Sequence, residues 1–383
     1  MPGFIRLLVI ALCLLGRAAL AEEMAIRPVT EMEASKRPQF KTAEWKLETG
    51  IDGYHQGKKD QGDAAYAHLD GNFQLNLAPW LRLVGRPRVD FYSARVQERF
   101  DSDEYQNRVR LLDGYIAVNP FAPVELRAGF INQGYWDQYL LVSNRRAFPG
   151  AQEIVGWTGV DLHGEVTAEQ VVPTSYSVDD EREDKERLPT LQIQAVKFSG
   201  TAFSVFEWKA MAGHYAWTNP PNKVAFESAQ WGNSVEGEVA PGATFKFGFD
   251  GWMAGGELCY CASQGPVKWI GEFQRLHNSR AGSGYGDAQL LGIGPRISFG
   301  QKTLDLRYRR MFLEKDATIS VYTKSGLGGT NRESDSIEAS LHFKDYKFAM
   351  FGRWLGSTVI RDNDIQAPHN TYVLGVETDY APF

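Results

Sequence analysis

The stretch His68-Leu69-Asp70-Gly71-Asn72-Phe73-Gln74-Leu75-Asn76-Leu77 alternates without an error. Leu69, Gly71, Phe73, Leu75 and Leu77 fall on one side, and His68, Asp70, Asn72, Gln74 and Asn76 on the other. Successive side chains of a strand point to opposite faces, so this is the pattern of a sheet between an apolar and a polar medium. The same period returns along the chain. Trp45, Leu47, Thr49 and Ile51 alternate with Lys46, Glu48, Gly50 and Asp52. Leu304, Leu306 and Tyr308 alternate with Asp305, Arg307 and Arg309, and Ile337, Ala339, Leu341 and Phe343 with Glu338, Ser340 and His342. Phe348, Met350, Gly352 and Trp354 form one more apolar face. A 3.6-residue period is missing from these runs, so almost no helix is expected.

The connections alternate as well. Short turns are expected at 78–80, 119–123, 199–202, 240–242, 300–303 and 344–345. Longer polar segments separate them at 95–107, 132–156, 179–189, 277–289, 314–335 and 359–370. The charged run Asp179 to Arg187 reads as a solvated loop. Segments of about ten residues match a tilted strand crossing a bilayer. Short turns on one side and long loops on the other are the layout of a transmembrane β-barrel. Trp45, Trp80, Phe91, Trp354 and Tyr372 lie near the ends of apolar faces, where an interfacial girdle sits. A soluble sandwich would have to bury the opposite, ionic faces, which is costly.

The beginning of the chain agrees. Arg6, the apolar run Leu7 to Leu15 and Ala19-Leu20-Ala21 read as a cleaved secretory signal over residues 1–21. Leu12 stands before Cys13 where a lipoprotein signal has a small residue. Removing 21 of 383 residues leaves 362; without Arg6 and Arg17, 39 basic against 47 acidic side chains give −8. Such an acidic chain excludes a non-specific nucleic-acid partner. After Arg17 the longest charge-free stretch is Ala210 to Asn222, too short for a spanning helix. The domains expected are the signal, a short periplasmic segment 22–43 and an all-β, antiparallel up-and-down transmembrane barrel over 44–383. Spacing gives it about 16–18 strands.

Leu111-Leu112-Asp113-Gly114-Tyr115-Ile116-Ala117-Val118, a turn, and Val124-Glu125-Leu126-Arg127-Ala128-Gly129-Phe130 resemble a hairpin of Gram-negative outer-membrane porins of the phosphate-selective type. The match covers about 45 residues; elsewhere the likeness is architectural. It implies an inward-folded long loop, here Ile131 to Val155, in a cell outer membrane. It further implies outer-membrane lipid and the assembly machinery as partners, and is compatible with a homotrimer. The terminal Phe383 is also similar to that family. However, Tyr372, Leu374, Val376, Thr378 and Tyr380 share one phase that Phe383 breaks, so either the strand ends early or a bulge restores the phase. The implied function is a water-filled channel for passive diffusion of small hydrophilic solutes, with a lean toward anions.

Phase places Arg82, Arg86, Arg88, Arg127, Arg307, Arg309 and Arg353 inside, facing Asp70, Asp90, Glu125, Glu272, Asp305 and Glu338, with Arg145 and Arg146 on the inward loop. Guanidinium groups stay charged and grip carboxylate or phosphate in bidentate fashion, which favours anions. Mutual pairing would instead only hydrate the pore. Pro87 points to a bulge in that strand. Two rival readings remain. His277 and Ser279 share one face of an extended segment, as a base–nucleophile dyad of a barrel lipase or esterase requires. A structural or adhesive barrel would bind a partner through its loops and carry a plugged pore. Cys259 and Cys261 share a strand face, linked or free. No cofactor motif is present.

Overall fold

The computed structural model describes residues 39–56, 60–92, 107–173, 187–237, 242–261, 265–323, 329–379 and 381–382. The signal (1–21) and most of the acidic run at 179–187 lie outside them.

Strands β1 (Gln39–Gln56), β2 (Asp60–Ala78), β3 (Leu81–Tyr92), β4 (Arg108–Phe121), β5 (Val124–Asn132), β6 (Ala147–Thr158), β7 (Leu162–Val171), β8 (Thr190–Ala202) and β9 (Phe206–Thr218) each pair antiparallel with the next. After an excursion holding helix α1 (Asn222–Gln230) and a small ladder of β10 (Val235–Glu236) with β11 (Thr244–Phe245), the meander resumes. It continues through β12 (Phe249–Cys261), β13 (Val267–Asn278), β14 (Asp287–Phe299), β15 (Lys302–Leu313), β16 (Arg332–Phe343), β17 (Phe348–Val359) and β18 (His369–Thr378). β12 pairs with β9 and β18 with β1, so the sheet closes. Of its seventeen strands, the two-residue β19 (Ala381–Pro382) only extends the seam, leaving a ring of sixteen. No helix among the described residues is long and apolar enough to cross a membrane.

The two faces divide as the alternation requires. Leu69, Leu83, Leu126, Leu258, Phe273, Ile293, Ile337 and Leu374 are exposed on the outer face. So broad an apolar surface needs lipid around it. Trp80, Phe91 and Tyr372 are exposed near strand ends.

The turn at 79–80 and those at 122–123, 300–301 and 344–347 fall where the sequence placed them. The turn expected at 199–202 is at 203–205, with both Phe203 and Ser204 at positive φ. The one expected at 240–242 is not a barrel turn. It falls between β10 and β11, inside the long connection from β9 to β12 on the opposite rim.

Two irregularities had been foreshadowed. Arg86 pairs with Asp113 but Pro87 with Leu111, so Leu112 is an extra residue on β4, opposite the proline. β3 therefore keeps its phase through Pro87, and Arg82, Arg88 and Asp90 stay on the inner face. At the seam, Glu48 pairs with Glu377 but Trp45 with Ala381, a shift of one residue. Tyr380 and Phe383, on which the expected break of phase rests, lie outside the described residues.

Candidate functional site

The loop after β5 crosses the lumen. It spans 133–146 rather than 131–155, because Ala147 to Val155 already belong to β6. A single turn of 3-10 helix, Gln133–Trp136, starts it. Asn132 Oδ1 accepts the Gly134 N–H there at 2.7 Å. From this turn the loop reaches the far wall. Lys197 on β8 donates to the Tyr135 carbonyl at 2.7 Å, and Lys209 on β9 lies 3.1 Å from the Asp137 carboxylate. Gln138 donates to the Ala254 carbonyl on β12 at 3.0 Å. Gln274 on β13 donates to the Asp137 carbonyl at 2.7 Å and accepts the Tyr139 N–H at 3.1 Å.

Leu140, Leu141 and Val142 make the next part of the loop apolar. Trp136, Leu140, Leu141 and Val142 are buried in one core with Phe148, Tyr215, Trp217, Ile319 and Tyr322. Residues 317–322 of the connection after β15 thus fold inward beside the first loop. Arg146 belongs to this junction. Its guanidinium donates to the Val321 carbonyl at 2.7 Å and lies over the Tyr322 ring.

The other predicted residues form three ionic groups on the inner wall. In the first, Arg82 and Arg127 share Glu125, with Arg127 at 2.5 Å. Arg127 also donates to Gln152 at 3.0 Å and lies over the rings of Tyr115 and Tyr135. Arg86 lines an adjoining cavity of about 310 Å³ with Asp113, Arg127, Tyr135 and Asn144. Tyr135 also lines a second cavity of about 280 Å³, with Asp137, Lys197, Lys209, Glu257 and Glu272. The first turn of the loop therefore stands between two chambers.

The second group centres on Asp90, which is 0 % exposed. His68, Arg88 and Arg110 approach it at 2.8, 2.8 and 2.7 Å, and Arg108 at 3.3 Å. Arg88 is also 3.3 Å from Asp70 and 3.9 Å from Glu48, and Arg145 reaches Glu48 from the loop at 3.9 Å. Tyr66 and Tyr92 pack on the His68 ring. In the third group Arg309 bridges Glu272 and Glu338, while Arg296 and Arg307 lie 2.6 and 3.5 Å from Asp305. Arg353 stays on the inner face of β17, opposite Glu338.

Several members were missed. Arg108-Val109-Arg110 alternates and could have been added to β4, but it follows a segment read as loop. Arg296 stands three positions after the outward Leu291-x-Ile293 run of β14 and pairs in register with Asp305. Lys197 and Glu165, 3.3 Å apart, lay in strands with weak alternation. The two rival motifs are placed as follows. His277 points outward, 3.0 Å from Asp287 and against Trp252. The Ser279 N–H donates to the Asp250 carbonyl. Cys259 and Cys261 face the lumen with sulfurs 3.3 Å apart, and with Glu207 they form a group whose donor atoms lie within 4.8 Å.

No family model and no curated protein matches the chain. Solved structures do. OprB of Pseudomonas putida matches with TM-score 0.59 and 11% identity over 90% of this chain and 94% of its own. The fold is porin-like. OmpF of Salmonella typhi, solved with daunomycin, gives 0.52 and 11% over 88% and 97%; OmpT of Vibrio cholerae gives 0.50 and 11% over 92% and 100%. At such identities the likeness speaks for the sixteen-strand closed barrel alone.

Proposed function

We propose that this chain is a porin of the Gram-negative outer membrane, a water-filled channel for passive diffusion of small hydrophilic solutes. The observation that carries this reading is the inner wall. Below the inward loop it holds Arg82, Glu125, Arg127, Glu272, Asp305, Arg307, Arg309 and Glu338, where a solid core would hold methyl groups. Sixteen strands leave an aqueous passage, whereas about eight would be filled by side chains. The apolar outer face supports the membrane, and the porin-like fold supports the outer one.

Selectivity follows from fixed charge in a narrow, low-dielectric passage. Arg82, Arg88, Arg127, Arg307 and Arg309 each have a carboxylate partner. The lean toward anions that arginines alone would give is thereby reduced, and the pairing supports a weakly selective passage. Planar-bilayer recording of refolded protein tests the function: discrete conductance steps are expected, and a silent bilayer defeats it. Silence would favour the structural or adhesive barrel, the second reading, which the apolar packing of Trp136, Leu140, Leu141 and Tyr322 inside the upper lumen supports.

A further inference from the structure

We propose that Cys259, Cys261 and Glu207 form a binding site for a thiophilic divalent cation of the zinc–cadmium class, at the short-turn end of the lumen. Register brings the three together. Cys259 is opposite Glu207 on β9, and Cys261 is opposite Lys268 on β13. Cross-strand partners share a face, and the neighbours Leu258 and Tyr260 are exposed outside, so all four side chains face inward. All lie within a few residues of a turn: β12 ends at Cys261, β9 begins at Phe206 and β13 at Val267.

The geometry suits a metal of this class. Two metal–sulfur bonds of about 2.3 Å at a tetrahedral angle hold their sulfurs about 3.8 Å apart. The thiols here are 3.3 Å apart, so half an ångström of side-chain rotation seats the ion. Glu207 has a long, largely exposed side chain and supplies the oxygen, its donor atom already within 4.8 Å of both sulfurs. Three protein ligands leave the fourth position to water from the lumen, which marks an exchangeable site rather than a structural one. Charge also balances. A divalent ion displaces two thiol protons, while Lys268, 3.7 Å from Glu207, offsets the third ligand. Thiolates prefer zinc and cadmium to magnesium and calcium. Binding requires access to the wall and not conduction, so a silent bilayer would leave this proposal standing.

The test uses the full barrel, isolated from membranes without reductant. Thiol titration should find Cys259 and Cys261 free, and none titratable would overturn the site in favour of a disulfide. Cadmium titration should then raise a sulfur-to-cadmium charge-transfer band that saturates at one ion per chain. The Cys259→Ser, Cys261→Ser double variant should lose the band, and so should the folded wild-type barrel after thiol alkylation, which covers a variant that does not fold. Glu207→Gln should keep the band and bind about tenfold more weakly. A missing band in reduced wild type, an unchanged band after alkylation, or unchanged affinity in Glu207→Gln overturns the assignment.

Discussion

Lys197 meets Tyr135 twice: its ammonium donates to the Tyr135 carbonyl at 2.7 Å and lies 3.2 Å from the centroid of the same residue's ring. One cation thus fixes both main chain and side chain of the loop that enters the lumen, from β8, three strands along the wall from β5. Hydrogen bonds to charged groups contribute about 1.5–3 kcal/mol each, so this contact decides whether the loop stays in place. In Lys197→Met, hydrogen exchange of residues 133–146 should accelerate roughly 10- to 100-fold, since about 1.4 kcal/mol is a factor of ten. Conductance should grow noisier. Unchanged exchange would mean that Gln274 and the apolar core hold the loop alone.

The ion pairs of the wall predict a symmetric response. Neutralising Arg82, Arg86 and Arg88 together should move the reversal potential toward cations, because three positive charges leave the wall while Glu125, Asp70 and Asp90 each lose one guanidinium partner. Neutralising Glu125, Glu272 and Asp305 together should move it toward anions by a similar amount. If only one of the two triple variants shifts, the wall is not compensated.

Asp90 tests the buried network. It serves Arg88, Arg108, Arg110 and His68 at once, so Asp90→Asn leaves a cluster of cations without its counter-ion. Breaking a buried pair on one side costs about 3–5 kcal/mol. Urea unfolding from lipid should show a loss of that order, and a change below about 1 kcal/mol would mean that water replaces the carboxylate.

The turn at 203–205 is strained by its residue types. Phe203 and Ser204 have φ of 53 and 58°, a region that costs a side chain about 1–2 kcal/mol. Ser204→Gly should therefore raise the unfolding midpoint by the equivalent of roughly 1 kcal/mol, without touching conductance.

A pH effect is expected on the long-loop rim. Burial pushes the Asp316 carboxyl above the usual carboxylate range, although it accepts the Ser234 N–H at 2.8 Å. A carboxyl raised by folding contributes stability that is fully present below its unfolded pKa and lost as pH rises through the folded one. Exchange protection of the 314–323 segment should accordingly be greatest in acid and decline from the carboxylate range upward. Asp316→Asn should flatten that decline; a variant that keeps the full pH dependence would assign it to another group.

What could be read in advance was whatever has a period of two. His68 to Leu77 alternates because one side of β2 meets lipid and the other water, and that constraint repeats on every strand. The same constraint groups Arg309, Glu272 and Glu338 on one face of their strands; that Arg309 lies between the two carboxylates depends on register, which the alternation does not carry. Pro87 signalled an irregularity by violating the pattern, although the extra residue stands opposite it on β4. The lumen filling was not legible. Tyr139-Leu140-Leu141-Val142 is an apolar run inside a segment read as polar loop, and only the ring of strands turns it into a core. Helix α1 is nine residues long, below what an isolated period can announce, and Pro221 at its N-cap reads equally well as loop. Arg146 has the same chemistry as Arg145; what separates them is the carbonyl of Val321, 175 positions away.

The slip at the seam has a mechanical consequence. Nine rungs join β1 to β18 in one register, from Glu48 to Gln56, and the next two, at Glu44 and Trp45, stand one step out of line. Sliding β18 along β1 would have to carry that kink with it, and a slide of one step would turn every lipid-facing side chain inward. Pro382, the rung opposite Glu44, lacks an N–H to donate across that joint. The seam is thus a keyed joint: it fastens in a single position, and that position fixes the girth and tilt of the whole cylinder.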